Sequence, residues 1–82
     1  MNEVFLIGKV MQEVEFDFLF RDNRHISIAK IKVILSDSSI IEVFGYNEIA
    51  DKLYRNINLN DIIFVYGRLE GDKVKILCFI LM

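Results

Sequence analysis

The chain has 82 residues, ten basic and twelve acidic side chains for a formal net charge of -2, one cysteine and a 54% hydrophobic share. That length argues for one domain over residues 1–82, burying only about 60 to 65% of the surface its unfolded chain exposes. The charge balance excludes a global basic field for attracting nucleic acid, so any such binding must rest on local placement of cations. A lone Cys78 excludes an internal disulfide, and no charged-then-apolar leader precedes the first strand pattern, so a cytoplasmic protein is expected. The hydrophobic share exceeds the usual ~45 to 50% and points to a second buried surface, most simply a homo-oligomer interface.

The first run, "NEVFLIGKV", is β-branched and aromatic, with Gly8 where a bulge or bend is expected. It is expected to continue as one long bent strand through "EVEFDFLF", where Glu13, Glu15 and Asp17 alternate with Val14, Phe16 and Phe18. "RDNRH" is a polar turn. "ISIAKIKVIL" follows as a second strand, with Ala29, Ile31 and Val33 on one face and Lys30, Lys32 and Ile34 on the other. "SDSS" is a short hairpin loop, and "SIIEVFGY" supplies a third strand with Ile41 and Val43 opposed to Ile40, Glu42 and Phe44.

The alternation stops at Gly45 and becomes helical. Asn47 is the expected N-cap, Glu48 and Asp51 suit the first turn of a helix, and Ile49, Leu53 and Ile57 recur every four residues. "IIFVYGRLE" resumes a strand, turns at "EGDK", and gives way to "VKILCFIL", far shorter than the ~20 residues of a membrane-spanning helix. Cys78 in that last strand is expected to be a small buried hydrophobe. Strand, strand, strand, helix, strand, strand is the order of the OB-fold: an all-β, five-stranded Greek-key barrel with one helix between strands 3 and 4.

Few residues suggest catalysis. His25 and Cys78 are single representatives of their types, so no Cys/His zinc cluster can be built, and the acids of "EVEFD" follow the pattern of a solvated strand face. No phosphate-cradling glycine loop or nucleophile motif occurs. A non-enzymatic protein without metal or cofactor is expected.

Four segments in register, "NEVFLIGKV", "AKIKVILSD", "EVFGYNEIADKL" and "DIIFVYGRLEG", resemble the bacterial single-stranded DNA-binding protein family over nearly the whole chain. The resemblance implies that Gly45 lets the third strand enter the helix, and that Phe44 is an aromatic of the DNA-binding face. It places Lys30, Lys32 and Ile34 on that face, with Ile40 and Glu42 beside them. Lys30, Lys32, Phe44 and Tyr46 are the leading nucleic-acid-binding candidates, with Lys9 and Arg68 at the groove's edge; Lys75 is a further edge cation, and Arg21 and Arg24 are weaker phosphate contacts.

Unspecific single-strand binding needs cations along the phosphates and flat π faces for the bases, and these residues offer both. The resemblance further implies a homo-oligomer, dimer or tetramer, acting in DNA replication or repair. The chain lacks tryptophan, a long basic hairpin between the second and third strands, and the family's acidic C-terminal tail, so weaker binding and no tail-mediated replication partners are expected. Glu42 argues against a DNA face unless Lys30 or Lys32 pairs with it. The alternative is an OB-fold module for protein contact that has lost DNA binding, favoured by the acidic balance and the apolar last strand. A single-stranded RNA binder is a closer variant.

Overall fold

The computed structural model describes residues 2–82; Met1, where the expected domain begins, lies outside the described residues. The elements run β1 (Glu3–Val10), β2 (Glu15–Arg21), β3 (Arg24–Ile34), β4 (Ile40–Tyr46), α1 (Glu48–Asn56), β5 (Ile62–Glu70) and β6 (Lys73–Leu81). They form one 6-stranded sheet in the order β1-β5-β6-β4-β3-β2, and β1 returns to pair with β3. That return closes the barrel. All pairings are antiparallel except β4–β6, which is parallel over Glu42–Lys73, Val43–Val74 and Phe44–Lys75.

The strand count is six where the sequence pattern suggested five. The long first strand is broken at residues 11–14, where its register against β3 shifts: Val10 stands opposite Val33 and Glu15 opposite Lys30, so four residues face only Ile31 and Lys32. The Met11 N–H still donates to Lys32 O at 3.0 Å, and the two surplus residues bulge out of the ladder beyond it, where the pairing of β1 with β5 has also ended. Gly8 is not the bend: it sits in regular register opposite Ile63. A Cβ there would stand 2.9 Å from the Val33 Cβ, so Gly8 instead allows β1 to lie close over β3.

The alternation expected from the sequence fills the barrel. Leu6, Val10, Ala29, Ile31, Val33, Val43, Ile63, Val65, Val74 and Ile76 form one cluster, closed at one end by Ala50, Leu53 and Ile57. Turn chemistry sets the registers. Asp22 and Asn23, with φ of 50° and 61°, make the two-residue hairpin between β2 and β3, and Asp and Asn are among the residues that accept such angles.

The helix begins where Asn47 ends the strand, but Asn47 is not a side-chain cap. It stands at φ 54° and makes no side-chain capping hydrogen bond. Its backbone N–H donates to Ser27 O at 3.0 Å, and its carbonyl accepts from Asp51 N at 2.9 Å. The left-handed turn thus falls at Asn47, while Gly45 remains paired in β4 opposite Ala29. A Cβ on Gly45 would lie 2.2 Å from the Ile49 Cγ2, so this glycine makes room for the first turn of α1 against the strand.

Candidate nucleic-acid interface

Period-two alternation turns Lys30 and Lys32 of β3, and Glu42, Phe44 and Tyr46 of β4, away from the core. The parallel junction adds Lys73 and Lys75 of β6 to the same outer surface, opposite Glu42 and Phe44. Phe44 is therefore flanked by Lys30 on one strand and Lys75 on the other. Phe44 is only 8% exposed, yet it is not part of the core cluster. Its burial comes from its neighbours on the outer surface. Tyr46 packs edge-to-face on it with ring centroids 5.7 Å apart, and the Lys75 ammonium stands 5.6 Å from the Tyr46 ring centroid, a cation–π contact.

Ile28, Lys30, Glu42, Phe44, Tyr46 and Lys73 line a recess of about 170 Å³ on this surface. A larger cleft of about 500 Å³ adjoins it through Tyr46 and is also lined by Arg21, Asn47 and Lys75. It opens where the β4–β6 pairing ends, at Phe44 and Lys75. Arg21 thereby joins the cations around Tyr46, and Arg24 is not among the cleft's lining residues.

Arg68 is the cross-strand neighbour of Lys75, and its other neighbour is Glu3, so it extends the row of cations onto β5. Lys9 stands apart from the recess. Its cross-strand neighbours are Ile34 and Ile62. Lys32 faces Glu42 across the β3–β4 ladder, but the ion pair formed by Glu42 runs to Lys73, with Nζ 3.2 Å from Oε2. The ammonium lies close enough for charge attraction but off the hydrogen-bonding direction, so the buried Oε2 has no directed donor. No ion pair holds Lys30 or Lys32 among the described residues.

Lys73 was not among the residues singled out from the sequence. Its signal was present: Lys73 and Lys75 alternate with buried Val74 and Ile76, and the parallel return of the last strand in an OB barrel brings that alternation beside Phe44. Phe18 and Phe20, 64% and 65% exposed, likewise stand out on the β2–β3 hairpin, with Phe20 packed edge-on to His25.

The opposite side of the barrel is apolar. Phe5 and Ile7 of β1 face Tyr66 and Phe64 of β5, and Phe5 contacts both aromatic rings, at centroid distances of 4.8 and 6.1 Å. Ile80 adds 61% exposed surface to this side from β6. Cys78 is exposed there rather than buried. The β5–β6 register shifts between Tyr66 and Gly67, so Leu77 is bulged and Cys78 turns outward opposite Tyr66. Among the described residues, no group of His, Cys, Asp or Glu is arranged to hold a metal ion, and no helix is long and apolar enough to cross a membrane.

By sequence, no family model and no curated protein matches the chain. By structure, it is similar to the SSB domain of a Synechococcus sp. protein, with a TM-score of 0.82 and 22% identity over 96% of this chain and 93% of that one. The wild-type single-stranded DNA binding protein from Thermus aquaticus superposes with a TM-score of 0.85 at 20% identity, over 100% of this chain and 40% of that one. For the small single-stranded DNA-binding protein from Streptomyces coelicolor the values are 0.70 and 15%, over 98% and 91%. With six paired strands, a parallel closure and one helix plugging the barrel, the chain has the OB-fold of bacterial single-stranded DNA-binding proteins.

Proposed function

We propose that this chain is a non-enzymatic single-stranded DNA-binding protein, largely indifferent to sequence, that works as a single OB-fold domain in DNA replication or repair in the cytoplasm. The observation that carries the reading is the convergence of Lys30, Lys75, Phe44 and Tyr46 on one outer surface, in a fold shared with single-stranded DNA-binding proteins. Lysines there replace counterions along the phosphates, and the half-buried Tyr46 ring, backed by Phe44, offers a stacking face. Lys32 and Arg68 lengthen the cationic track; Lys9 lies among isoleucines and contributes least.

A fluorescently labelled oligo-dT titrated with protein at low salt tests the reading by anisotropy. Saturable binding that weakens as salt is added supports it. A flat signal at tens of micromolar protein overturns it in favour of a protein-contact module, and equal binding of oligo-U widens it to RNA.

The chain is also proposed to self-associate. The support is the apolar side of β1, β5 and β6, where Phe5, Ile7 and Ile80 are 66%, 52% and 61% exposed, on a chain whose own core is small. Light scattering coupled to gel filtration is expected to give a dimer or tetramer, and Phe5→Glu is expected to shift it to monomer.

A further inference from the structure

Glu42 is the residue that the single-strand reading explains least. It places a carboxylate in the middle of the cationic surface, lining the same recess as Phe44 and Tyr46. Its side chain is 22% exposed, Lys73 holds it at 3.2 Å, and its buried Oε2 lacks a directed hydrogen bond. Lys32 is its neighbour on the other strand. With Oε2 closed in against Lys73, the part-exposed remainder of the carboxylate side chain is what lines the recess beside Tyr46.

The chemistry of the recess suggests what would use it. An ionised carboxylate only accepts hydrogen bonds, and an ammonium only donates them. Glu42 and Lys73 therefore present an acceptor beside a donor. The edges of unpaired bases are open to such reading. Cytosine and adenine each carry an amino donor next to a ring acceptor, and guanine carries two donors next to a carbonyl. All three can satisfy Glu42 and Lys73 together. Thymine has one donor, N3–H, between two carbonyls; Lys73 can serve one of them, and the other is pressed toward a carboxylate oxygen.

Resting on the single-strand reading, we propose that Glu42 is a specificity-determining residue: with Lys73 it makes the Phe44–Tyr46 recess favour an amino-bearing base over thymine. The rest of the track stays indifferent to sequence, so the preference applies at one position along the strand. Lys73 holds the carboxylate in place until a base donor arrives, and is then available to a base acceptor or a phosphate.

The test compares labelled oligo-dC and oligo-dT by anisotropy, in wild type and in Glu42→Gln. Removing the charge is expected to tighten binding of both, because a carboxylate near phosphate is lost. The inference requires oligo-dT to gain more than oligo-dC, by about fivefold, the low end for one base-reading pair. Equal gains would mean that Glu42 only repels phosphate, which overturns the inference and leaves the single-strand reading standing. Should Glu42→Gln lower the melting temperature, Glu42→Val, which suits a strand, is read in the same way. If wild type binds neither oligonucleotide while melting cooperatively, the single-strand reading fails and the inference falls with it.

Discussion

Glu42 and Lys73 meet across the parallel junction that closes the barrel, with 3.2 Å between Lys73 Nζ and Glu42 Oε2. The pair joins the last strand to the middle of the candidate interface, so closure of the fold and charge at the site share the same residues. Lys73 is 48% exposed and Glu42 22%, so solvent screens the attraction and its contribution to stability is modest. A double-mutant cycle with Glu42→Gln and Lys73→Met, read by urea unfolding, is expected to give a coupling below about 1 kcal/mol. A coupling of several kcal/mol would mean the pair is held as a buried ion pair.

Phe44 and Tyr46 should separate folding from binding. Phe44 is nearly buried and Tyr46 half-buried, although both lie outside the core cluster. Tyr46→Ala is expected to weaken oligonucleotide binding by about 1 to 3 kcal/mol, the range for one base stacked on an aromatic ring, with a smaller loss of stability than Phe44→Ala. Phe44→Ala is expected to lower both quantities, because it also removes the packing partner of Tyr46. Anisotropy and chemical denaturation on the same preparations check both statements.

Gly45 has no spare room. A Cβ would lie 2.2 Å from Ile49 Cγ2 and 2.9 Å from Ile49 Cβ, and a β-branched side chain at the start of a helix has few rotamers with which to yield. Gly45→Ala is expected to destabilise the chain by about 1 to 3 kcal/mol, as overpacking does elsewhere. The companion variant Gly45→Ala/Ile49→Ala should recover part of the loss in urea melts.

The Tyr66 hydroxyl donates to Glu3 Oε2 at 2.8 Å on the apolar side of the barrel. That hydrogen bond, first among the causes, raises the phenol above its ordinary value of 10.0. The folded state thus holds this proton more tightly than the unfolded chain. The associated stabilisation is fully present below pH 10.0 and is lost as pH rises through the raised value. An ultraviolet titration is expected to show late ionisation of Tyr66, and Glu3→Ala to shorten the delay.

Much of this architecture could be read from period-two alternation. Ala29, Ile31 and Val33 point inward and Lys30 and Lys32 outward as their spacing requires, and β5 spans "IIFVYGRLE" as expected. Local pattern failed where a long-range partner decided the outcome. A shift of register against β3 after Val10 divides the first strand, and the register shift at Tyr66 and Gly67 turns Cys78 outward. At Asn47, backbone hydrogen bonds to Ser27 and Asp51 take the place of a side-chain cap.

The site followed the same division. Alternation placed Phe44 on the outer surface, but its burial there depends on Tyr46 and on lysines from two other strands. Glu42 has Lys32 as its ladder neighbour, as alternation suggested, yet its ion pair is with Lys73. Lys73 becomes its neighbour only through the parallel closure, a contact between residues 31 positions apart in the chain.

The central claim is that the surface of β3, β4 and β6 carries single-stranded DNA through its lysines. The most direct measurement is the slope of log affinity for oligo-dT against log salt, in wild type and in Lys30→Ala/Lys32→Ala. Each phosphate contact on a single strand contributes a slope of about -0.7. The account predicts measurable binding by wild type and a slope shallower by about 1.4 in the double variant, with folding unchanged. A slope identical in the two proteins would place the DNA elsewhere on the barrel and contradict the account.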